Sequence, residues 1–163
     1  MNHTFNFRPK AVVFDVDGVM TTGQFIYSEN GKAFKIFGAH DNDGLKMLQP
    51  YVAILFVTAD KRGFNISYKR IVEDMKQELV LVGETERSDY LESRFGLANI
   101  IYMGDGIYDA PILQKCGYGI APHNARKEAI SSAKFITESN SGNGAVLDAC
   151  IQIIKTFFSD SKQ

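Results

Sequence analysis

Apolar residues fall into short uninterrupted runs at positions 11–14, 52–57, 79–82, 100–103 and 118–121, with a shorter one at 135–136. Runs of this length without polar alternation read as strands buried on both faces. Between them the apolar positions recur at helical spacing, over 44–49, 64–77, 87–95, 110–116, 126–133 and 145–158. Strand and helix therefore alternate. That alternation predicts an α/β fold, a doubly wound, mostly parallel sheet of Rossmann-like type with helices on both faces.

One segment breaks the alternation. Positions 24–28 and 33–37 are β-prone and flank Glu29-Asn30-Gly31-Lys32, where Asn-Gly is expected to supply the positive φ angles of a tight turn. A β-hairpin flap at about 24–37, directly after the first strand, is the expectation. Phe25 and Tyr27 alternate with Ile26, and Phe34 and Ile36 alternate with Ala33 and Phe37, so both faces of the ribbon carry apolar groups. A two-stranded ribbon is marginal alone in water, so it calls for a covering surface, and a homo-oligomer built on the hairpin is expected. No repeat or linker interrupts the rest, and 139–144 reads as a loop. Residues 1–163 are therefore read as a single domain, long enough to bury a core without disulfide or metal staples.

Charge and cysteine content narrow the partners. A formal net charge of -1 offers neither a basic patch for nucleic acid nor an acidic run that favours disorder, which leaves small polar substrates open. Cys116 and Cys150 are too few for a disulfide framework and read as reduced thiols, implying a cytoplasmic setting. Positions 1–10 have no apolar signal core, and the strongest apolar run, 51–57, is too short to cross a bilayer, so no membrane association is expected.

In an open parallel sheet, ligands bind beyond the carboxyl ends of the strands. Polar residues follow the apolar runs at four such places: Asp15-Val16-Asp17-Gly18, Thr58-Ala59-Asp60, Gly83 with Arg87 shortly after, and Gly104-Asp105 with Asp109 after it. Each alone has a bland reading as a turn, a strand end, a solvated cation or a helix cap. Together they place carboxylates, a hydroxyl and a cation on one sheet edge, the set that phosphoryl transfer requires. A magnesium ion takes oxygen ligands, often one or two carboxylates, and Asp15 and Asp105 are the candidates. Beside such a cation Asp15 can attack phosphorus as a nucleophile, and Asp17 can protonate the leaving oxygen and then activate water. Thr58 could donate a hydrogen bond to the moving phosphoryl group and Arg87 could neutralise its charge.

The string Phe14-Asp15-Val16-Asp17-Gly18-Val19 resembles the first motif of the haloacid dehalogenase-like superfamily, and Thr58 and Gly104-Asp105-Gly106-Ile107-Tyr108-Asp109 are similar to its second and fourth. The resemblance implies that Asp15 is nucleophile and Mg2+ ligand, that Asp17 is acid/base and lends the metal a backbone carbonyl, and that Asp105 ligates the metal with Asp109 supporting it. The hairpin after Thr21-Thr22-Gly23, the string Gly142-Asn143-Gly144-Ala145-Val146 and the absence of a large cap domain resemble the 3-deoxy-D-manno-octulosonate 8-phosphate phosphatases. That narrower resemblance implies a sugar acid phosphate as the small phosphorylated substrate, as in lipopolysaccharide precursor synthesis or for related nonulosonate phosphates. It also implies a homotetramer whose hairpins meet at its centre.

Three positions depart from the pattern. Arg87 stands where the superfamily usually has lysine, Gly106 where the narrower family usually has a second acid, and Leu147 where an arginine follows the Gly-Ala-Val string. Lys61 and Arg62 read as solvated surface or as contacts for an anionic substrate. His40, Asp41 and Asp43 read as capping and turn residues or as neighbours of the substrate entrance, and His123 is similarly ambiguous. A signalling receiver-type module is a rival by fold, but Gly83 and Pro122 occupy the neighbourhoods where its aspartate and lysine belong. A catalytically weak homologue that binds a phosphosugar or a protein partner is the other alternative.

Overall fold

The computed structural model describes residues 7–159, so positions 1–6 of the stretch inspected for a targeting signal lie outside the described residues. Along the chain the elements are β1 Ala11–Asp15, β2 Thr21–Ser28, β3 Gly31–Phe37, α1 Asp41–Leu48, β4 Ala53–Thr58, α2 Phe64–Tyr68, β5 Glu78–Leu81, α3 Arg87–Phe95, β6 Ile100–Met103, α4 Ala110–Lys115, β7 Tyr118–Ala121, α5 Lys127–Ser132, β8 Phe135–Ile136 and α6 Ala145–Phe157. Six strands form one sheet in the order β5-β4-β1-β6-β7-β8, and each neighbouring pair is parallel. Among the described residues β2 and β3 pair only with each other, as the antiparallel hairpin.

Period-two alternation on the strands sorts the core into two layers. Val12, Phe14, Ile54, Phe56, Ile101 and Met103 face Leu45 and Leu48 of α1 and Ala149, Cys150 and Ile153 of α6. Val13, Leu55, Val57, Ile100 and Tyr102 face Leu91 of α3, Ile112 and Leu113 of α4, and Ala129 of α5. Both faces of the sheet are thus covered, which is why its strands read as continuous apolar runs. β1 lies between β4 and β6, and the chain leaves it in different directions to fill the two halves of the sheet. A cleft opens at the carboxyl end of such a central strand.

Local departures from the expected pattern have local causes. The hairpin closes with Ser28 opposite Gly31, so Glu29 and Asn30 form the turn, and the positive φ falls on Gly31 (111°) and not on Asn30. Only a residue without a Cβ adopts that angle freely, so glycine bears the bend. The helix expected over 64–77 is regular only through α2. Lys69–Asp74 is wound wider, with Met75 N–H donating to the Arg70 carbonyl at 3.1 Å, and the segment stops at Lys76, the only non-glycine with positive φ (59°) among the described residues. Asp41 caps, but not its own helix: its Oδ1 accepts from the amides of Val146 (3.0 Å) and Leu147 (3.3 Å) in the first turn of α6. Those are donors a helix start leaves unpaired. Among the described residues no helix is long and apolar enough to cross a membrane.

Candidate active site

β1 delivers Asp15 at its last position, on the same face as Val13, and the chain then turns sharply through Val16–Met20. Gly18 takes φ 86°, and a Cβ built there would run into the Asp105 carboxylate, so only glycine lets the loop after β6 approach. Thr21 Oγ1 fixes the bend by accepting from the amides of Gly18 (3.3 Å) and Gly23 (3.1 Å). The turn brings Asp17 (φ -80°, ψ 117°) round to the cleft, which a straight strand would not do for a residue two positions along.

Asp15, Asp17, Thr58, Arg87, Asp105 and Asp109 all line one cleft of about 610 Å3, together with Phe25, Lys32, Asp60, Lys61, Arg62, Glu84 and Tyr108. Lys61 and Arg62, exposed in side chain, stand at its mouth, whereas His40, Asp43 and His123 do not line it. Carboxylate oxygens of Asp15, Asp105 and Asp109 lie within 4.8 Å of one another. Burial pushes the Asp15 carboxyl well above the usual range against the pull of Arg87, and Asp109, Asp105 and Asp17 push it further. Burial and the charge of Asp109 carry Asp105 up to about 7. This cluster has more negative charge than its one guanidinium offsets, and its donors are all oxygen. It fits a hard divalent cation.

Arg87, at the first position of α3, is buried and not solvated. Its Nη1 lies 3.2 Å from Asp15 Oδ1, 3.0 Å from Asp109 Oδ1 and 3.1 Å from Tyr102 Oη. Burial opposes its charge, but Tyr102, Asp15 and Asp109 outweigh that and hold it protonated. Asp109 in turn has every acceptor engaged: Oδ1 by Arg87 and the Tyr102 hydroxyl, Oδ2 by the amides of Asp105 (3.0 Å) and Gly106 (2.9 Å). It therefore orders the loop that presents Asp105. Thr58, at the end of β4, accepts from the Asp60 amide at 3.1 Å and directs its hydroxyl toward Asp17 Oδ2, 3.5 Å away.

Two groups in this constellation were missed in the sequence. Tyr102 hides inside an apolar strand, where its hydroxyl gives no separate signal. Lys35 of β3 is fully buried in side chain and pairs with Asp17 Oδ1 at 2.9 Å and Asp60 Oδ2 at 2.8 Å, while Lys32 reaches Asp60 Oδ2 at 2.6 Å. A signal for Lys35 existed: it shares strand parity with Ala33 and Phe37, opposite the exposed Phe34 and Ile36. A lysine on the inward face of a hairpin needs a partner.

A family model of haloacid dehalogenase-like hydrolases matches residues 91–149. The crystal structure of a probable YrbI family phosphatase from Pseudomonas syringae is 30% identical, superimposes with a TM-score of 0.80 and is matched over 92% of this chain and 87% of its own. The chain belongs to the haloacid dehalogenase-like superfamily. It groups there with the capless 3-deoxy-D-manno-octulosonate 8-phosphate phosphatase-like family, and it is a phosphatase. The Salmonella typhi 3-deoxy-D-manno-octulosonate 8-phosphate phosphatase KdsC is 29% identical over 152 residues, 86% of this chain and 77% of that protein. The Moraxella catarrhalis 3-deoxy-D-manno-octulosonate 8-phosphate phosphatase, crystallised in complex with magnesium ion, phosphate ion and KDO, is 25% identical with a TM-score of 0.77, over 95% of this chain and 94% of the other. A haloacid dehalogenase-like fold explains why the DxDG turn, the threonine and the late aspartates share one edge.

Proposed function

We propose that this haloacid dehalogenase-like phosphatase is a magnesium-dependent phosphomonoester hydrolase that works through an aspartyl-phosphate on Asp15 and acts on a phosphorylated sugar acid. The observation that carries the reading is the position of Asp15: the end of the central strand, between a cation-deficient carboxylate cluster on one side and Asp17 on the other. Asp15, Asp105 and the Asp17 backbone carbonyl would hold magnesium, which would supply charge neutralisation for a carboxylate meeting a phosphate.

The residues then divide the reaction. An Asp15 oxygen attacks phosphorus, the bond to the ester oxygen breaks, and Asp17 gives its proton to the departing alkoxide. In the second half Asp17 takes a proton from water, the water oxygen attacks phosphorus, and the bond to Asp15 breaks to release inorganic phosphate. Thr58 is placed to donate to the phosphoryl oxygens. Arg87, buried in the wall of the cleft, steadies Asp15 and Asp109 and adds positive charge. The cations Lys61 and Arg62 at the mouth, with Lys32 and Phe25 on the hairpin wall, suit a leaving group that carries its own negative charge.

The named relatives support 3-deoxy-D-manno-octulosonate 8-phosphate as the first compound to test, with nonulosonate phosphates beside it. Phosphate release from a panel of phosphosugars, with and without magnesium, tests the reading. Turnover should require magnesium and fall by about 10^3-fold or more in Asp15→Asn. Undiminished turnover in that variant rejects the mechanism, and binding without turnover by the unaltered chain favours the phosphosugar-binding alternative. Phe25, Ile26, Tyr27, Phe34 and Ile36 are all exposed on the hairpin, which supports the homotetramer as part of the same proposal; light scattering of Ile36→Asp against the unaltered chain tests it.

A further inference from the structure

The hairpin carries a buried charge that the reaction scheme above leaves unused. Lys35 Nζ has three N–H groups. One is hydrogen-bonded to Asp17 Oδ2 at 3.0 Å, with Asp17 Oδ1 also 2.9 Å from Nζ, one to Ser67 Oγ at 2.9 Å, and Asp60 Oδ2 lies in an ion pair at 2.8 Å. The partners come from the turn after β1, from α2 and from the loop after β4, so three separate elements converge on one ammonium. Lys35 has no exposed side-chain surface, while Asp17 keeps 18% of its side chain open, on the cleft side. An ammonium taken out of water is costly unless it is paired and hydrogen-bonded, and here two hydrogen bonds and two carboxylates meet it.

The backbone around the cluster is shaped to it. A Cβ on Gly63 would run into Asp60 Oδ2 and come within 2.6 Å of Lys35 Cε and 2.9 Å of Lys32 Cδ. Gly63 φ is -103°, an angle open to any residue, so what requires glycine here is the space the charged groups take up and not the backbone conformation. Lys32 closes the far end, 2.6 Å from Asp60 and 3.5 Å above the Phe25 ring.

We propose that Lys35 is a positioning residue for Asp17: from behind, it holds the Asp17 carboxyl in the orientation that meets the leaving oxygen, and the Lys35–Asp60–Lys32 chain fixes the hairpin so that this hold is rigid. The proposal rests on the reading of Asp17 as the acid that protonates the leaving group. Without Lys35, Asp17 keeps only two contacts, from the hydroxyls of Thr21 and Thr58, each at 3.5 Å. Contacts that long are weak and leave the carboxyl free to rotate. A lysine that merely anchored the hairpin would slow every substrate alike. A lysine that aims a proton donor matters in proportion to how badly the leaving group needs the proton.

That difference sets the experiment. kcat/KM, which reports steps up to loss of the leaving group, is measured for the best sugar phosphate of the panel and for 4-nitrophenyl phosphate, whose phenolate departs without a proton, in saturating magnesium. In Lys35→Met, kcat/KM is expected to fall about 30- to 100-fold on the sugar phosphate, at or just below the lower end of what general acid catalysis contributes because Asp17 itself remains, and only a few-fold on the aryl ester. Equal falls on both, or no fall on the sugar phosphate, overturn the proposal. Asp17→Asn is run alongside. If it discriminates between the two esters and Lys35→Met does not, the assignment of Lys35 fails alone; if Asp17→Asn itself does not discriminate, the acid role of Asp17 fails and the assignment with it. Should Lys35→Met not give folded protein by circular dichroism, the same ratio is read in Gly63→Ala, which spreads the cluster while every charge stays in place.

Discussion

Two ionic clusters flank Asp15, and they are built on opposite principles. On the side of β6 and α3, Asp15 and Asp109 share the Arg87 guanidinium with Asp105 beside them, and Asp105 is driven up to about 7 by burial and by Asp109. On the hairpin side, Asp17 and Asp60 meet Lys35 and Lys32, one ammonium for each carboxylate, and Asp60, although burial works against it, is drawn down to about 2 by those lysines. The first cluster crowds carboxylates around one guanidinium, and a bound cation or a proton taken up by its carboxyls relieves it. The second is balanced by its own lysines while Asp17 is ionised, and takes from solution only the proton that Asp17 passes to the leaving group. One half of the site is therefore organised by what binds, and the other by the chain.

The contrast can be broken most sharply at Arg87. Arg87→Ala removes the only internal cation of the first cluster and leaves buried carboxylates facing one another, a change worth about 3–5 kcal/mol of stability. Turnover should fall by about 10^2-fold or more, and Arg87→Lys should recover part of it. Urea unfolding and steady-state kinetics on both variants check this. Wild-type stability in Arg87→Ala would mean that the cluster is not strained as described.

Magnesium should act on the first cluster alone. A ligand at about 100 times its Kd stabilises the native state by about 2.7 kcal/mol. At about 2–4 °C per kcal/mol for a domain of this size, the melting temperature should rise by about 5–10 °C. Asp105→Asn should lose most of that rise, while Asp60→Asn should keep it, and thermal unfolding with and without the ion separates the two clusters directly.

The smallest effect belongs to the second cluster and appears in acid. Asp60, facing Lys32 and Lys35, has a folded-state value near 2 against an ordinary value of about 3.9. A lowered carboxylate value gives stability that is fully present above the unfolded value and is lost as pH falls through the folded one. The loss should run from about pH 5 to pH 2 and amount to about 1 kcal/mol after allowance for partial exposure. In Asp60→Asn the urea midpoint should vary less with pH over that window; an unchanged profile would show that Asp60 is not held as the geometry indicates.

The two clusters also differ in how far they could be read from the chain. Asp15, Thr58, Arg87 and Asp105 stand just beyond apolar strands, and a parallel sheet gathers strand ends whatever its strand order, so their meeting followed from the alternation of elements. Burial of Arg87 did not follow, because it depends on Tyr102 reaching across from inside β6. The hairpin cluster was harder still. Lys35 lies 18 residues from Asp17 and 32 from Ser67, so its strand parity hinted that it needed a partner but nothing local named which one. Strand order was equally out of reach, since it is set by how helices pack across the two layers. The widening of the backbone over Lys69–Asp74 left no mark in the apolar spacing.

The parity of β3 makes the hairpin intolerant of length changes. Phe34 and Ile36 point outward and Lys35 inward, so inserting or deleting a single residue beside Lys35 exchanges the two faces unless a bulge absorbs it, as the irregularity opposite Ile26 and Tyr27 does for Lys32. An apolar side chain, Phe34 or Ile36, would then be offered to Asp17 and Asp60, and the ammonium would be turned to the outer surface. Grafting a hairpin from a relative to alter the choice of leaving group is therefore constrained less by which residues it carries than by whether it arrives in the same phase. Two-residue changes conserve that phase, and odd ones do not.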